Sequence, residues 1–163
     1  MPLIKNGRVT DEDWAFLEDD APIMDGKVSV SLKRFLEERE TLLERNQEIG
    51  VRLEPADDPH DLKEDLDRLT LIEVSFPKYA DGRGYSQAQL LRRRLGYEGE
   101  LRAVGDVLRD QLLNMVRSGF DAVSVTNTDL NGFVSALGEY QYFYQPAADG
   151  VRSVFERRHS EDA

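Results

Sequence analysis

The chain has 163 residues, of which 40% are hydrophobic and 33% charged, with a net charge of −11; this is the length of one domain able to bury a core. So acidic a surface argues against nucleic acid and anionic lipid and suits a basic protein partner. Cysteine is absent, which excludes disulfides, thiolate catalysis and cysteine-held iron–sulfur clusters and argues against a protein-ligated zinc.

Met1 to Val9 carries an Asn6-Gly7 pair between Leu3-Ile4 and Val9, a hairpin turn signal with short arms. From Thr10 to Lys27 acidic residues surround Trp14-Ala15-Phe16-Leu17; either the aromatic cluster pins this lead-in to the body or the segment is a mobile acidic lead-in. Val28 to Val30 reads as a strand, with Ser31 placed to cap a helix running to about Arg45. Leu32, Phe35, Leu36, Leu42 and Leu43 form that helix's inner stripe. Ile49 to Leu53 is the next strand, Glu54 to Pro59 breaks the pattern, and a brief helix is expected from about His60 to Leu69.

The stretch Leu71 to Val125 then repeats strand, polar loop and helix. Its apolar runs, Leu71 to Phe76, Leu101 to Val104 and Ala122 to Val125, are short and rich in β-branched residues, the signature of βα units. Pro77 stops the first run, Asp81-Gly82-Arg83-Gly84 forms a loop, and a helix starting near Tyr85 or Ser86 buries Ala88, Leu91 and Leu95. Gly105-Asp106 is expected to open the following helix, with Leu108, Leu112, Met115 and Val116 inward. A last helix capped by Thr128 or Asp129 runs to about Tyr144. The cluster Tyr140, Tyr142, Phe143 and Tyr144 suits packing or a subunit contact. The division is an N-terminal β-arm and acidic lead-in over 1–27, an α/β domain over 28–145 and a polar tail over 146–163.

About five such units are too few for a closed barrel of ~250 residues. The expectation is an open, mostly parallel sheet with helices on both faces; the alternative is a half-barrel βα array that pairs with a second copy as a homodimer. His60 and His159 fall in polar surroundings, the start has no secretory pattern, and no run approaches the ~18 apolar residues of a membrane span. A cytoplasmic protein is expected, with no membrane and no nucleic-acid partner.

In a parallel sheet the loops leaving the carboxyl ends of the strands open on one rim. Lys78, Asp81, Arg83, Asp106, Arg109, Thr126 and Asn127 should gather there. Gly82 and Gly84 allow close backbone approach, Ser86 starts the helix behind them, and Lys78 and Arg83 add charge that favours an anion. Asp106 reads as a general base or as a helix cap, with Arg109 one turn on. For Arg83 an ion pair with Asp81 or Asp106 stands beside ligand contact. Thr126 and Asn127 can donate hydrogen bonds to a ligand.

The strings FPKYADGRGYSQAQLLRRRLGY, GELRAVGDVLRDQL and RSGFDAV, with IGVRLEP upstream, resemble a bacterial family of unknown-function domains. That family is described as oxidoreductases of sulfite reduction and is encoded beside the sulfite reductase hemoprotein. The resemblance implies a cytoplasmic role in assimilatory sulfate reduction, as an accessory that docks on the reductase or passes electrons to it. It carries no established catalytic residues. Its motif blocks fall here on Lys78, Asp81, Gly82, Arg83, Gly84, Ser86, Arg92, Gly105, Asp106, Arg109, Asp110 and Gln111. Ser118 stands where family members often have cysteine, so thiol chemistry cannot be general to them. A flavin is the one redox cofactor left open, since an α/β sheet can hold one without a short motif. Beside this reading stand a small enzyme acting on an anion at the DGRG loop and a non-catalytic dimeric module.

Overall fold

A computed structural model describes residues 2–78, 80–124, 130–137 and 147–148. Strands β1 (Leu3–Lys5) and β2 (Arg8–Thr10) form the expected hairpin. Asn6 and Gly7 both take positive φ, 50° and 74°, as the tight turn requires. Six strands follow: β3 (Ala15–Leu17), β4 (Val28–Ser31), β5 (Ile49–Leu53), β6 (Leu71–Phe76), β7 (Glu100–Gly105) and β8 (Ala122–Ser124). They lie side by side in chain order and all run parallel; β1 pairs antiparallel with β8 and carries β2 at the edge.

The mostly parallel α/β sheet is therefore present, and its consecutive order is that of the half-barrel array. Right-handed crossovers between successive neighbours carry every helix to the same face. Val30, Val51, Leu53, Ile72, Val74, Phe76, Leu101 and Ala103 alternate along the strands. They form one apolar cluster with the helical residues Phe35, Leu42, Ala88, Leu91, Leu112 and Met115.

The chain itself requires the sheet to curl. Laid flat, the eight strands would put β2 and β3 about 34 Å apart at ~4.8 Å per step. The link between them is only Asp11, Glu12, Asp13 and Trp14, which reaches at most about 18 Å. The sheet is accordingly a curled half-barrel, and this link straps its open side.

Helices α1 (Leu32–Glu37), α2 (Arg39–Leu43), α3 (Arg83–Gln89), α4 (Leu112–Ser118) and α5 (Leu130–Leu137) cover the convex face. Ser31 caps α1 as expected, its Oγ accepting from Arg34 N–H at 3.1 Å. The first helix is broken at Glu38, and Leu36, expected inside, is exposed. A helical wheel drawn through a break misplaces residues on either side of it. His60 to Leu69 is not a helix; only Pro59–Leu62 makes a 3-10 turn, capped by Asp58. The expected last helix is described only as α5, and the Tyr140 to Tyr144 cluster lies outside the described residues.

Candidate functional site

At the carboxyl edge the β6 and β7 loops adjoin. Phe76 and Gly105 are in register, and Asp106 N–H donates to Phe76 O at 2.7 Å. Gly105 has φ 112°, and a Cβ there would collide with the Phe76 carbonyl, so only glycine lets β7 close over its neighbour.

The anticipated residues are distributed unevenly around this junction. Asp81 holds Arg83 as a fork: its carboxylate accepts from Nη2 at 2.6 Å and from Nε at 3.0 Å, and also from the Arg83 N–H at 3.1 Å. The Arg83 side chain and then its backbone N–H lower the Asp81 pKa to about 2. Lys78, Gly82 and Ser86 are exposed. Gly84 is buried in α3 because any Cβ would strike the Phe76 ring; its smallness serves helix-on-strand packing. Asp106 is exposed and caps nothing, since the next helical turn, Arg109–Gln111, takes Leu108 as its N-cap residue and α4 starts only at Leu112. Leu108 accordingly lies outside the core, exposed. Arg109 is exposed and engaged in an interaction. Thr126 and Asn127 lie outside the described residues.

Arg92, one of three consecutive arginines, is tied down at the opposite edge. Its Nε donates to Gly119 O at 2.9 Å, its Nη1 to Tyr97 O and Gly99 O at 2.7 and 2.9 Å, and its Nη2 to the Asp121 carboxylate. It thereby locks the amino ends of β7 and β8. Burial pushes the neighbouring Tyr97 phenol well up, against the opposing pull of Arg92. A cavity of about 490 Å³ near this lock is lined by Ile4, Leu112, Val116 and Phe120. Arg92, its cationic member, already has its hydrogen bonds satisfied.

The concave face holds a charged cluster that no sequence motif marks. Arg52, Glu73 and Arg102 occupy one row across β5, β6 and β7. Glu73 Oε2 accepts from Arg52 Nε at 3.0 Å and from Ser29 Oγ at 2.8 Å. Arg52 also lies 3.7 Å from the Phe16 ring centroid. Arg102, 1% exposed, donates to Glu12 of the strap at 2.5 Å and to Glu100 at 2.7 Å, and Lys5 meets Glu100 from β1 at 2.5 Å. Burial pushes the Glu100 carboxyl up, but Lys5 and Arg102 together bring it below its ordinary value. Three cations thus face three carboxylates, two of the pairs largely out of water. A cavity of about 310 Å³ opens above them between Trp14, Phe16, Arg52, Glu73, Ser75 and Ser124, reaching Gly105 at the carboxyl edge. The signal in the sequence is a charged or hydroxyl residue at alternate positions inside each strand, as in VSVS, IGVRL, LIEVSF and ELRAVG. A face packed under helices is apolar, so this alternation marks a face without them.

Among the described residues no group of three or more histidines, aspartates or glutamates could hold a metal ion, and no helix is long and apolar enough to cross a membrane. Residues 50–155 match a family described as bacterial protein of unknown function (DUF934). The chain belongs to that family. The match begins in β5 and takes in Arg52, Glu73 and Arg102 together with both edge loops, whereas the strap and β1 to β4 precede it. No curated protein matches the chain.

Proposed function

We propose that this protein serves assimilatory sulfite reduction as an accessory of the sulfite reductase hemoprotein, docking on it or passing electrons to it, with the carboxyl edge of the half-barrel as its working surface. The observation that carries the reading is the junction of the β6 and β7 loops, where the Asp106 N–H binds Phe76 O. It sets the FPKYADGRGY and VGDVLRDQL segments, which carry the resemblance to sulfite-reduction proteins, side by side. The net charge of −11 suits a basic docking partner, since opposite potentials speed weak encounters of this kind. Lys78 supplies local positive charge at that edge and favours an anion there, the charge of Arg83 being offset by Asp81. Because Arg83 is already held by Asp81, a docking role fits it better than turnover of a substrate does.

Deletion of the gene tests the proposal. Cells should grow poorly on sulfate or sulfite and recover with cysteine, and the tagged protein should co-purify with the reductase. Arg83→Ala with Asp106→Asn should weaken that co-purification. Unimpaired growth together with no captured reductase would refute the role. The visible spectrum of protein mixed with flavin separates the two versions: a bound chromophore supports electron passing, and its absence leaves docking alone.

A further inference from the structure

We infer that the concave face of the half-barrel binds a small zwitterion of the α-amino acid kind, its carboxylate on the Arg52 guanidinium and its ammonium on the Glu73 carboxylate. This site is separate from the edge loops and does not rest on the role in sulfite reduction.

Arg52 is fixed from two sides, by Glu73 at its Nε and by the Phe16 ring under its plane. Neither Nη1 nor Nη2 makes a hydrogen bond to a described residue. A guanidinium held in this way presents a planar fork, which matches a carboxylate with two parallel hydrogen bonds. Glu73 is 3% exposed. Its Oε2 takes both Ser29 and Arg52, while its Oε1 accepts from no described residue. That oxygen is not sealed in the interior but opens on the cavity that Glu73 lines, where it is an available acceptor.

The charge balance selects the ligand. Lys5, Arg52 and Arg102 stand against Glu12, Glu73 and Glu100, leaving the face neutral. A bare anion would add an uncompensated charge next to Glu73 and Glu12, and a bare cation would do so next to Arg52. A molecule carrying one charge of each sign adds none. The cavity of about 310 Å³ accepts a small molecule, and the Ser75 and Ser124 side chains on its wall offer further polar contacts.

The test uses the only tryptophan of the chain, Trp14, which lines the cavity. The full chain is titrated at millimolar concentration with the standard free amino acids, and with acetate and methylammonium as the two half-molecules. At least one amino acid should change Trp14 emission saturably. Either half-molecule, and either variant Arg52→Lys or Glu73→Gln, should bind at least about tenfold more weakly. Arg52→Lys keeps a cation against Glu73, so it reports on the fork even if Glu73→Gln does not fold. Three results would overturn the site: no response to any amino acid, acetate binding as tightly as the best amino acid, or wild-type affinity in Arg52→Lys.

Discussion

The two faces of one sheet are built on opposite principles. On the convex face Val74, Phe76, Leu101 and Ala103 meet helices and exclude water. On the concave face Arg52, Glu73 and Arg102 stand in one row of neighbouring strands, Arg52 paired with Glu73 and Arg102 with Glu12 and Glu100. Apolar packing is non-directional and tolerates substitutions of similar volume, whereas a buried ion pair requires each partner in place. The convex face therefore carries stability, and the concave face carries geometry that stability alone does not require.

The sharpest way to break the comparison is to cut each face once. Phe76→Ala on the convex side should cost about 3–5 kcal/mol in urea unfolding; Phe76 is fully buried and touches both Tyr85 and Phe120 edge to face. On the concave side Arg102→Met should cost about 3 kcal/mol by removing the cation that faces Glu12 and leaving Glu100 with Lys5 alone. Adding Glu12→Gln should return part of that loss. If Arg102→Met proved neutral by itself, the array would be ornament rather than structure.

Smaller effects sharpen the boundary between the faces and the edge loops. Gly84→Ala pushes a methyl into the Phe76 ring and should cost about 2 kcal/mol. Gly82→Ala meets nothing within 4 Å and should stay within about 0.5 kcal/mol. Equal costs at the two glycines would contradict the packing role assigned to Gly84. Smallest is the Asp81–Arg83 pair at the surface. The Asp81 carboxyl titrates at about 2 in the folded chain against an ordinary 3.8. Its contribution to stability is thus complete above pH 3.8 and is lost as pH falls through about 2. Carboxyl NMR should find that low midpoint, and Arg83→Ala should return it toward the ordinary value.

Much of the convex side was legible because its signals are local. β-branched runs, the Ser31 cap and the Asn6-Gly7 turn each act within a few residues, and they marked β1, β4 to β8 and the start of α1. Helix lengths were less legible: the break at Glu38 and the late start of α4 depend on tertiary packing that no wheel contains. The edge junction was anticipated from parallel pairing, although Asp81 claims Arg83 and Gly84 serves Phe76. The concave site was missed for a physical reason. Arg52, Glu73 and Arg102 are about 20 to 30 residues apart and become neighbours only through strand register. Glu12 and Trp14 join them only because a four-residue strap spans a curled sheet.

The division of labour between the faces is tested most directly by urea midpoints with and without saturating amino acid, using the tightest binder of the Trp14 titration. A ligand that binds only the folded chain raises the midpoint. Ile72→Ala should start from a lower midpoint yet keep the ligand-induced rise, while Arg52→Lys should start near wild type and lose it. A rise that survives in Arg52→Lys, or vanishes in Ile72→Ala, would contradict the account.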